Sequence, residues 1–518
     1  MTSSTNVPHY DLAIVGAGIN GAGIACDAAG RGLKVLVIEQ GDIGGATSQW
    51  STKLVHGGLR YLEHYEFRLV RESLAEREVL LRKAPHLVAP LAFVLPHEPH
   101  LRPAWMIRLG LFLYDHLGGR ETLPASFGVA LDRSKWGAGL KDRFRKGFVY
   151  ADARVDDARL VVANMIAARE RGAEVLVRSR LTAANRTSDG SAWRLVVTAA
   201  DGTTREFGAK ALVNAGGPWV KRVRDLVSQS PARENVRHVK GSHIVVPRVH
   251  GEDHAYILQN ADKRIVFVIP FQDKYSLIGT TDVQVTEFED PKISDSEVDY
   301  LLALANTYLQ QSLTRADVVW SFSGIRPLYD DGASDPSSIT RDYVFRIDTG
   351  VPAGGGNGQA PVMSIFGGKL TTYRKLAEHA LAELKAFLPQ MGPAWTGTAK
   401  LPGGDLPAGG LNAWSAELAR RYPGLSPEFL AAIAHRHGSR ALQVLEGVKT
   451  AADLGEDFGD GLTAREIDYF VQQEWARSGD DVLWRRTKCG LGLSAAQCAR
   501  VDAYVADRVA ALIRPEAA

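Results

Sequence analysis

The stretch YDLAIVGAGINGAGIACDAAGRGLKVLVIE, residues 10–39, decides the fold. An apolar run, YDLAIV, meets the turn Gly16-Ala17-Gly18-Ile19-Asn20-Gly21, and an alanine-rich segment then leads to a second apolar run, LKVLVIE. Strand, turn, helix and strand in that order make one βαβ unit. Each glycine answers a different need: Gly16 lets the chain turn tightly, Gly18 lets backbone approach a phosphate, and Gly21 lets the helix pack close to the strand. Backbone amides at the helix start, around Ile19 and Asn20, can then face a pyrophosphate. Glu39 ends the second strand 18 residues beyond Gly21, where a carboxylate accepts hydrogen bonds from ribose hydroxyls. The unit implies a bound dinucleotide without distinguishing FAD from NAD.

Working outward, 518 residues exceed one ordinary core, so two or three domains are expected. Hydrophobic residues make up 45 % and charged residues 23 %, which excludes a disordered chain. A formal charge of +2 is too mild for a nucleic-acid partner. Cys26, Cys489 and Cys498 form no CxxC pair and no Cys/His ligand spacing, so no metal is expected. The opening MTSSTNVPHY resembles no leader and points to the cytoplasm. No apolar run reaches membrane-spanning length; the nearest, Trp105 to Tyr114, is interrupted by Arg108.

The pattern predicts α/β plus α+β architecture: a Rossmann-like domain, an inserted antiparallel sheet and a C-terminal helical cap. EHYEFRLVRESLAEREVLLR, residues 63–82, reads as one amphipathic helix. FVYAD, the helical DDARLVVANMIAARERG and AEVLVRS read as a return to the first domain, as does ALVNAGGPW. Two strands over residues 343–366 are joined by the loop VPAGGGNGQAP, and a helix starts at Lys369 and runs to Phe387. The expected boundaries are 1–75, 148–225 and 336–390 for the dinucleotide domain, 76–147 for a substrate- or membrane-facing segment, 226–335 for the substrate domain and 391–518 for the cap.

The most specific signal is a set of ordered blocks: STKLVHGGLRYLEHYEFRLVRESLAERE, YADARVDDARLV, NAGGPWV, GTTD, SGIRPL, FGGKLTTYRKLAE and LWRRTKCGLGL. Together they resemble the FAD-dependent glycerol-3-phosphate dehydrogenase family over nearly the whole chain. The resemblance implies a peripheral respiratory enzyme that oxidises sn-glycerol 3-phosphate to dihydroxyacetone phosphate, with hydride passing to flavin N5 and electrons to a quinone. It also implies an FAD site built from Gly16, Gly18, Ile19, Asn20, Gly21, Glu39, Gln40, Thr47, Ser48, Leu181, Asn214, Ala215, Gly216, Gly368, Lys369, Leu370 and Thr371.

The residue chemistry suits that expectation. A phosphate dianion calls for several charge-assisted donors, and the planar fork of arginine matches its oxygens. Arg60 with Tyr61, and Arg326 in an apparent loop, are the expected binders. Lys369 follows two glycines at a helix start and can stabilise charge developing at the flavin or hold a substrate oxygen. His56 is the candidate base, since imidazole titrates near neutrality; alternatively Arg326 and Lys369 polarise the alcohol while water takes the proton. Thr280, Thr281 and Asp282 are expected to point toward the substrate, or simply to end a strand. The basic run Trp484 to Lys488 is read as neutralising acidic residues such as Asp480 and Asp481, as helping to close the active site or, preferentially, as a solvated ionic network, and is assigned no catalytic role.

RPAWMIRLGLFLYDHLGGR combines apolar side chains with flanking arginines and suits an anionic membrane surface on the cytoplasmic face of an inner membrane, or an ordinary buried helix. A homodimer is compatible with this reading. The rival readings are an oxygen-dependent glycerol-3-phosphate oxidase, an amine or amino-acid oxidase on the same fold, and a flavin-bearing sensor or membrane-surface scaffold.

Overall fold

The computed structural model describes residues 7–98, 102–227, 236–260, 264–330, 342–350 and 358–513. The first sheet grows from His9–Val15, which pairs in parallel with Val35–Ile38 on one side and Thr204–Asn214 on the other. Val362–Phe366 adds in parallel beyond Thr204–Asn214, and Glu174–Leu176 adds in parallel beyond Val35–Ile38. Antiparallel strands Val344–Asp348, Trp193–Ala199 and Ser179–Arg186 complete it. Its inner strand is buried nearly throughout, as a parallel strand covered on both faces must be.

Helices Ile19–Gly30, Asp157–Arg169 and Tyr373–Glu383 share one core with this sheet. The alanine and glycine content of Ile19–Gly30 is what permits their approach. A Cβ at Gly23 would lie 2.6 Å from the Tyr373 ring.

Among the described residues the second sheet has ten strands, all but one of its pairings antiparallel, the exception being His254–Gln259 with Val88–Pro96. Helix Asp295–Tyr308 covers one face, opened by a reciprocal capping box between Ser294 and Glu297. This sheet draws on more of the chain than residues 226–335. Leu54–Val55, Val88–Pro96, Phe127–Ala130 and Lys146–Val155 all belong to it. The strand FVYAD, expected beside the dinucleotide, therefore sits in the second sheet, paired with Val88–Pro96. An isolated strand has the same period in either sheet, and only its long-range partner distinguishes them.

Residues 410–513 form helices around a separate core. Within them lies an unforeseen hairpin, Asp457–Gly459 with Leu462–Thr463, turning through Asp460 and Gly461 at positive φ. Two expected helices are also trimmed. Residues 63–82 are not one helix: a 3-10 turn, Leu59–His64, ends at Tyr65 with φ of 60°, and the helix proper is Phe67–Lys83. After Lys369 a 3-10 turn, Leu370–Thr372, precedes Tyr373–Glu383, which stops short of Phe387. Residues 351–357 of the loop VPAGGGNGQAP lie outside the described residues.

Candidate active site

The glycine turn follows the geometry that its residue types demand. Gly16 has φ of +103°, and a Cβ there would lie 2.5 Å from the Ala215 carbonyl oxygen. Gly21 approaches closer still, with its Cβ position 1.9 Å from the Gly16 carbonyl oxygen, so helix and turn touch backbone to backbone. The Glu39 carboxylate accepts from the Ala17 and Gly41 amides, each at 2.7 Å. Burial pushes its pKa up, against the pull of those two donors.

These elements wall a cleft of about 560 Å³ at the carboxyl ends of the parallel strands. Gly16, Gly18, Ile19, Asn20, Glu39, Gln40, Thr47, Ser48, Leu181, Ala215, Gly216 and Gly368, all among the expected cofactor residues, line it. The Oδ1 of Asn20 is buried without a hydrogen-bond partner among the described residues, while its Nδ2 donates to the Gly367 carbonyl at 3.1 Å. A glycine-rich backbone wall, the Glu39 carboxylate at its edge and the open Asn20 amide acceptor suit a large nucleotide bearing hydroxyl and N–H donors.

Several expected contributors act differently. Asn214 is fully buried and structural: its Nδ2 donates to the Val220 carbonyl at 2.8 Å and to Ser364 Oγ at 3.2 Å, and its Oδ1 accepts from the Gly216 amide. Gly21 is a packing position outside the lining, and Lys369, Leu370 and Thr371 also stand outside it. Ser48 Oγ accepts from the Ile19 amide at 2.9 Å, so this hydroxyl satisfies a helix donor expected to face phosphate. Thr47 donates to the Ile325 carbonyl at 2.6 Å and so ties the loop to the second sheet. Ser179, Arg180, Trp219, Arg222 and Pro327 line the cleft as well. No spacing rule could find them, because they arrive from strands, a 3-10 turn and a helix more than 130 residues from the glycine turn.

The Gly367-Gly368-Lys369 turn joins this cleft to the second sheet. Gly367 and Gly368 have φ of 72° and 101°, and the Gly367 amide donates to the Pro327 carbonyl at 3.1 Å. The Lys369 ammonium lies 3.8 Å from the centre of the Tyr61 ring, a cation–π contact. Thr371 meets the backbone of His56 on both sides, accepting from its amide at 3.3 Å. Loops 56–61 and 367–371 are thus stitched together next to the strand bearing Arg326.

Arg326 belongs to a strand, Trp320–Tyr329, and not to the expected loop; it stands opposite Val239. Pro327 is tolerated because, among the described residues, this strand pairs on one side alone. The guanidinium is ion-paired with Asp282 and donates to Thr280 Oγ1 at 3.2 Å. Asp282 and Thr280 therefore hold the arginine. Thr281 is 1 % exposed and turned inward, its hydroxyl donating to Glu297 Oε1 at 2.7 Å. Arg60 is half-buried, and its side chain has no hydrogen bond or ion pair among the described residues.

His56 is flanked by a buried network that sequence reading did not expose. Asp152 accepts from the Tyr114 hydroxyl at 2.7 Å and Arg77 Nη1 at 2.6 Å, and the Tyr114 oxygen accepts from the Gly57 amide at 2.8 Å. The His56 pKa is lowered, by desolvation first, then by Lys369 and Arg77, with Asp152 opposing. The imidazole is accordingly neutral near pH 7 and able to accept a proton. No group of His, Cys, Asp and Glu among the described residues could hold a metal ion.

Comparison with known proteins agrees with this geometry. Residues 11–374 match the FAD dependent oxidoreductase family, and residues 394–516 match the C-terminal domain of alpha-glycerophosphate oxidase. The chain is 53 % identical to glycerol-3-phosphate dehydrogenase of Pseudomonas aeruginosa, covering 96 % of this chain and 95 % of that one. It is 47 % identical to D-erythritol 1-phosphate dehydrogenase of Brucella abortus, over 94 % of this chain and 96 % of the relative. The solved glycerol-3-phosphate dehydrogenase of Bacillus halodurans, complexed with FAD, superposes with a TM-score of 0.71 at 26 % identity, covering 98 % of this chain and 95 % of that one. With its dinucleotide cleft, its second sheet and its helical cap all accounted for, this chain is an FAD-dependent oxidoreductase that belongs to the glycerol-3-phosphate dehydrogenase family.

Proposed function

We propose that the chain oxidises sn-glycerol 3-phosphate to dihydroxyacetone phosphate and passes the electrons to a quinone at a membrane surface. The observation that carries the chemistry is the Gly367–Lys369 turn, which ties the FAD cleft to Lys369, to the His56 loop and to the strand of Arg326. When bound, FAD supplies a two-electron acceptor for the hydrogen on the carbinol carbon. His56, neutral by burial, takes the hydroxyl proton. Arg60, which has no carboxylate of its own among the described residues, supplies charge for the phosphate, and Arg326 joins it by sharing its guanidinium with Asp282. Lys369 steadies negative charge that develops at the alcohol oxygen.

The proposed membrane surface is helix Ala104–Leu117. Trp105, Leu109 and Phe112 are 66 %, 51 % and 52 % exposed along one side, whereas Leu111 and Tyr114 are buried on the other. Tyr65, 80 % exposed, follows the 3-10 turn against which this helix packs. Such a face suits the headgroup region of a bilayer. Among the described residues no helix is long and apolar enough to cross a membrane.

The Brucella relative directs attention to a second substrate, a phosphorylated tetritol. Anaerobic mixing of the purified yellow protein with each compound decides between them. Bleaching by glycerol 3-phosphate, restored by a quinone analogue, supports the proposal. Bleaching by D-erythritol 1-phosphate alone replaces the substrate, and no bleaching by either defeats it.

A further inference from the structure

The C-terminal helical unit reaches across to the cofactor cleft through one basic turn, Asp481–Arg486. Arg486 is fully buried; its Nη2 donates to Asp42 Oδ1 at 2.8 Å, and Arg485 Nε donates to Asp42 Oδ2 at 2.5 Å. Asp42 is itself only 4 % exposed. It opens the loop whose Gly44 amide donates to the Ala17 carbonyl at 2.9 Å and whose Ser48 caps the Ile19 amide. The same basic turn also grips the neighbouring segment of the lining, which is hydrogen-bonded to this loop through its backbone. Asp481, fully buried, accepts from Arg178 Nη2 at 2.8 Å, and the Arg178 amide donates to the Gly41 carbonyl at 3.0 Å. One residue further, Ser179 begins the wall formed with Arg180 and Leu181.

Neither segment is held by its own domain alone. The loop 41–48 lies outside the regular strands, and its acidic anchor would be a desolvated, uncompensated charge without the two arginines. Burial favours the neutral carboxyl of Asp481, yet the cations Arg486, Arg485 and Arg178 outweigh it and hold the pKa at about 2, so the charged form persists across the ordinary pH range. The run Trp484 to Lys488, for which a solvated ionic network is the preferred expectation, is thus largely buried, with Trp484 packed on the helical core and Arg485 and Arg486 on Asp42.

We propose that this turn is a latch for the cofactor: Arg485 and Arg486 on Asp42, and Asp481 on Arg178, hold loop 41–48 and the adjoining start of strand Ser179–Arg186 in the positions where they line the FAD cleft, so that breaking the latch releases FAD. These are positioning residues, acting through loop 41–48 and strand Ser179–Arg186. The inference rests on the cofactor and is independent of the substrate.

The test uses the full-length holoprotein and reads FAD release on dilution, by recovery of flavin fluorescence, together with the melting temperature of the apoprotein. Arg485→Gln and Arg178→Gln are the primary variants, since both side chains are partly accessible at 11 % and 37 %. Arg486→Met is the more severe variant. FAD release is expected to accelerate about tenfold in each primary variant, within the usual range for coupling between sites, while the apoprotein melts close to the parent. Arg485→Lys should recover part of the retention. Adding Asp42→Asn to Arg485→Gln should accelerate release by less than the product of the single effects. Unchanged release in the folded primary variants overturns the latch. So does a fall in apoprotein melting temperature that matches the fall in the holoprotein, which would make the contact purely structural.

Discussion

Replacing Gly21 with alanine separates the backbone requirement of the cofactor turn from general stability. The added Cβ would stand 1.9 Å from the Gly16 carbonyl oxygen, and such atoms essentially never come within 3.0 Å, so the helix start must retreat by at least the difference, 1.1 Å. Overpacking of this kind costs about 1–3 kcal/mol. Alanine returns about 1 kcal/mol as a better helix former than glycine. Net destabilisation is therefore about 0–2 kcal/mol, and the protein should fold. The cofactor fares worse, because a displacement near 1 Å carries the helix start and the Gly18 backbone out of their places in the cleft lining, and misplacement on that scale costs about a hundredfold in well-oriented sites. The assay is the flavin-to-protein absorbance ratio after purification, beside the melting curve of the apoprotein. A colourless, folded variant is expected. A stoichiometric yellow variant would refute the assigned role of the glycine turn.

Arg326→Met should leave FAD bound but weaken capture and slow flavin reduction by about 10- to 150-fold, the worth of a charge-assisted hydrogen bond of about 1.5–3 kcal/mol; unchanged anaerobic reduction kinetics would remove Arg326 from the site. Since burial lowers the His56 pKa, the acid limb of kcat/KM should fall below pH 6.5, and a limb above that value would exclude neutral His56 as base. Stability should also decline in acid: the His254 pKa, lowered to about 3 chiefly by burial, leaves the folded state binding fewer protons than the unfolded one below pH 6.5. At pH 5 that single group costs about 2 kcal/mol by linkage, so denaturant midpoints that stay flat from pH 7 to 5 would contradict it. Leu109→Ser with Phe112→Ser should reduce cosedimentation with anionic vesicles while dye-coupled turnover is retained; undiminished vesicle binding would exclude that helix face.

The βαβ unit was legible because its determinants are local. Positive φ at Gly16, close approach at Gly21 and a carboxylate at the end of the next strand all follow from neighbouring residues. The order of the motif blocks carried the family in the same way, and it named the segments of His56, Arg60, Arg326 and Lys369 without saying what each side chain touches. Thr281 illustrates the gap. A hydroxyl in GTTD reads as site-facing, yet it turns inward because Glu297, from a capped helix 16 residues later, needs a donor.

The amino-acid sequence alone determined the dinucleotide turn, the family and the existence of a helical cap, since periodicity, turn chemistry and motif order are properties of short segments. Tertiary structure alone decided which sheet receives FVYAD, that Asp282 restrains Arg326, and that the Trp484 to Lys488 run is buried against Asp42. The physical reason is common to all three. A strand partner, an ion pair or a desolvated charge is fixed by groups tens to hundreds of residues away, and nothing in the local chain states which of them will arrive.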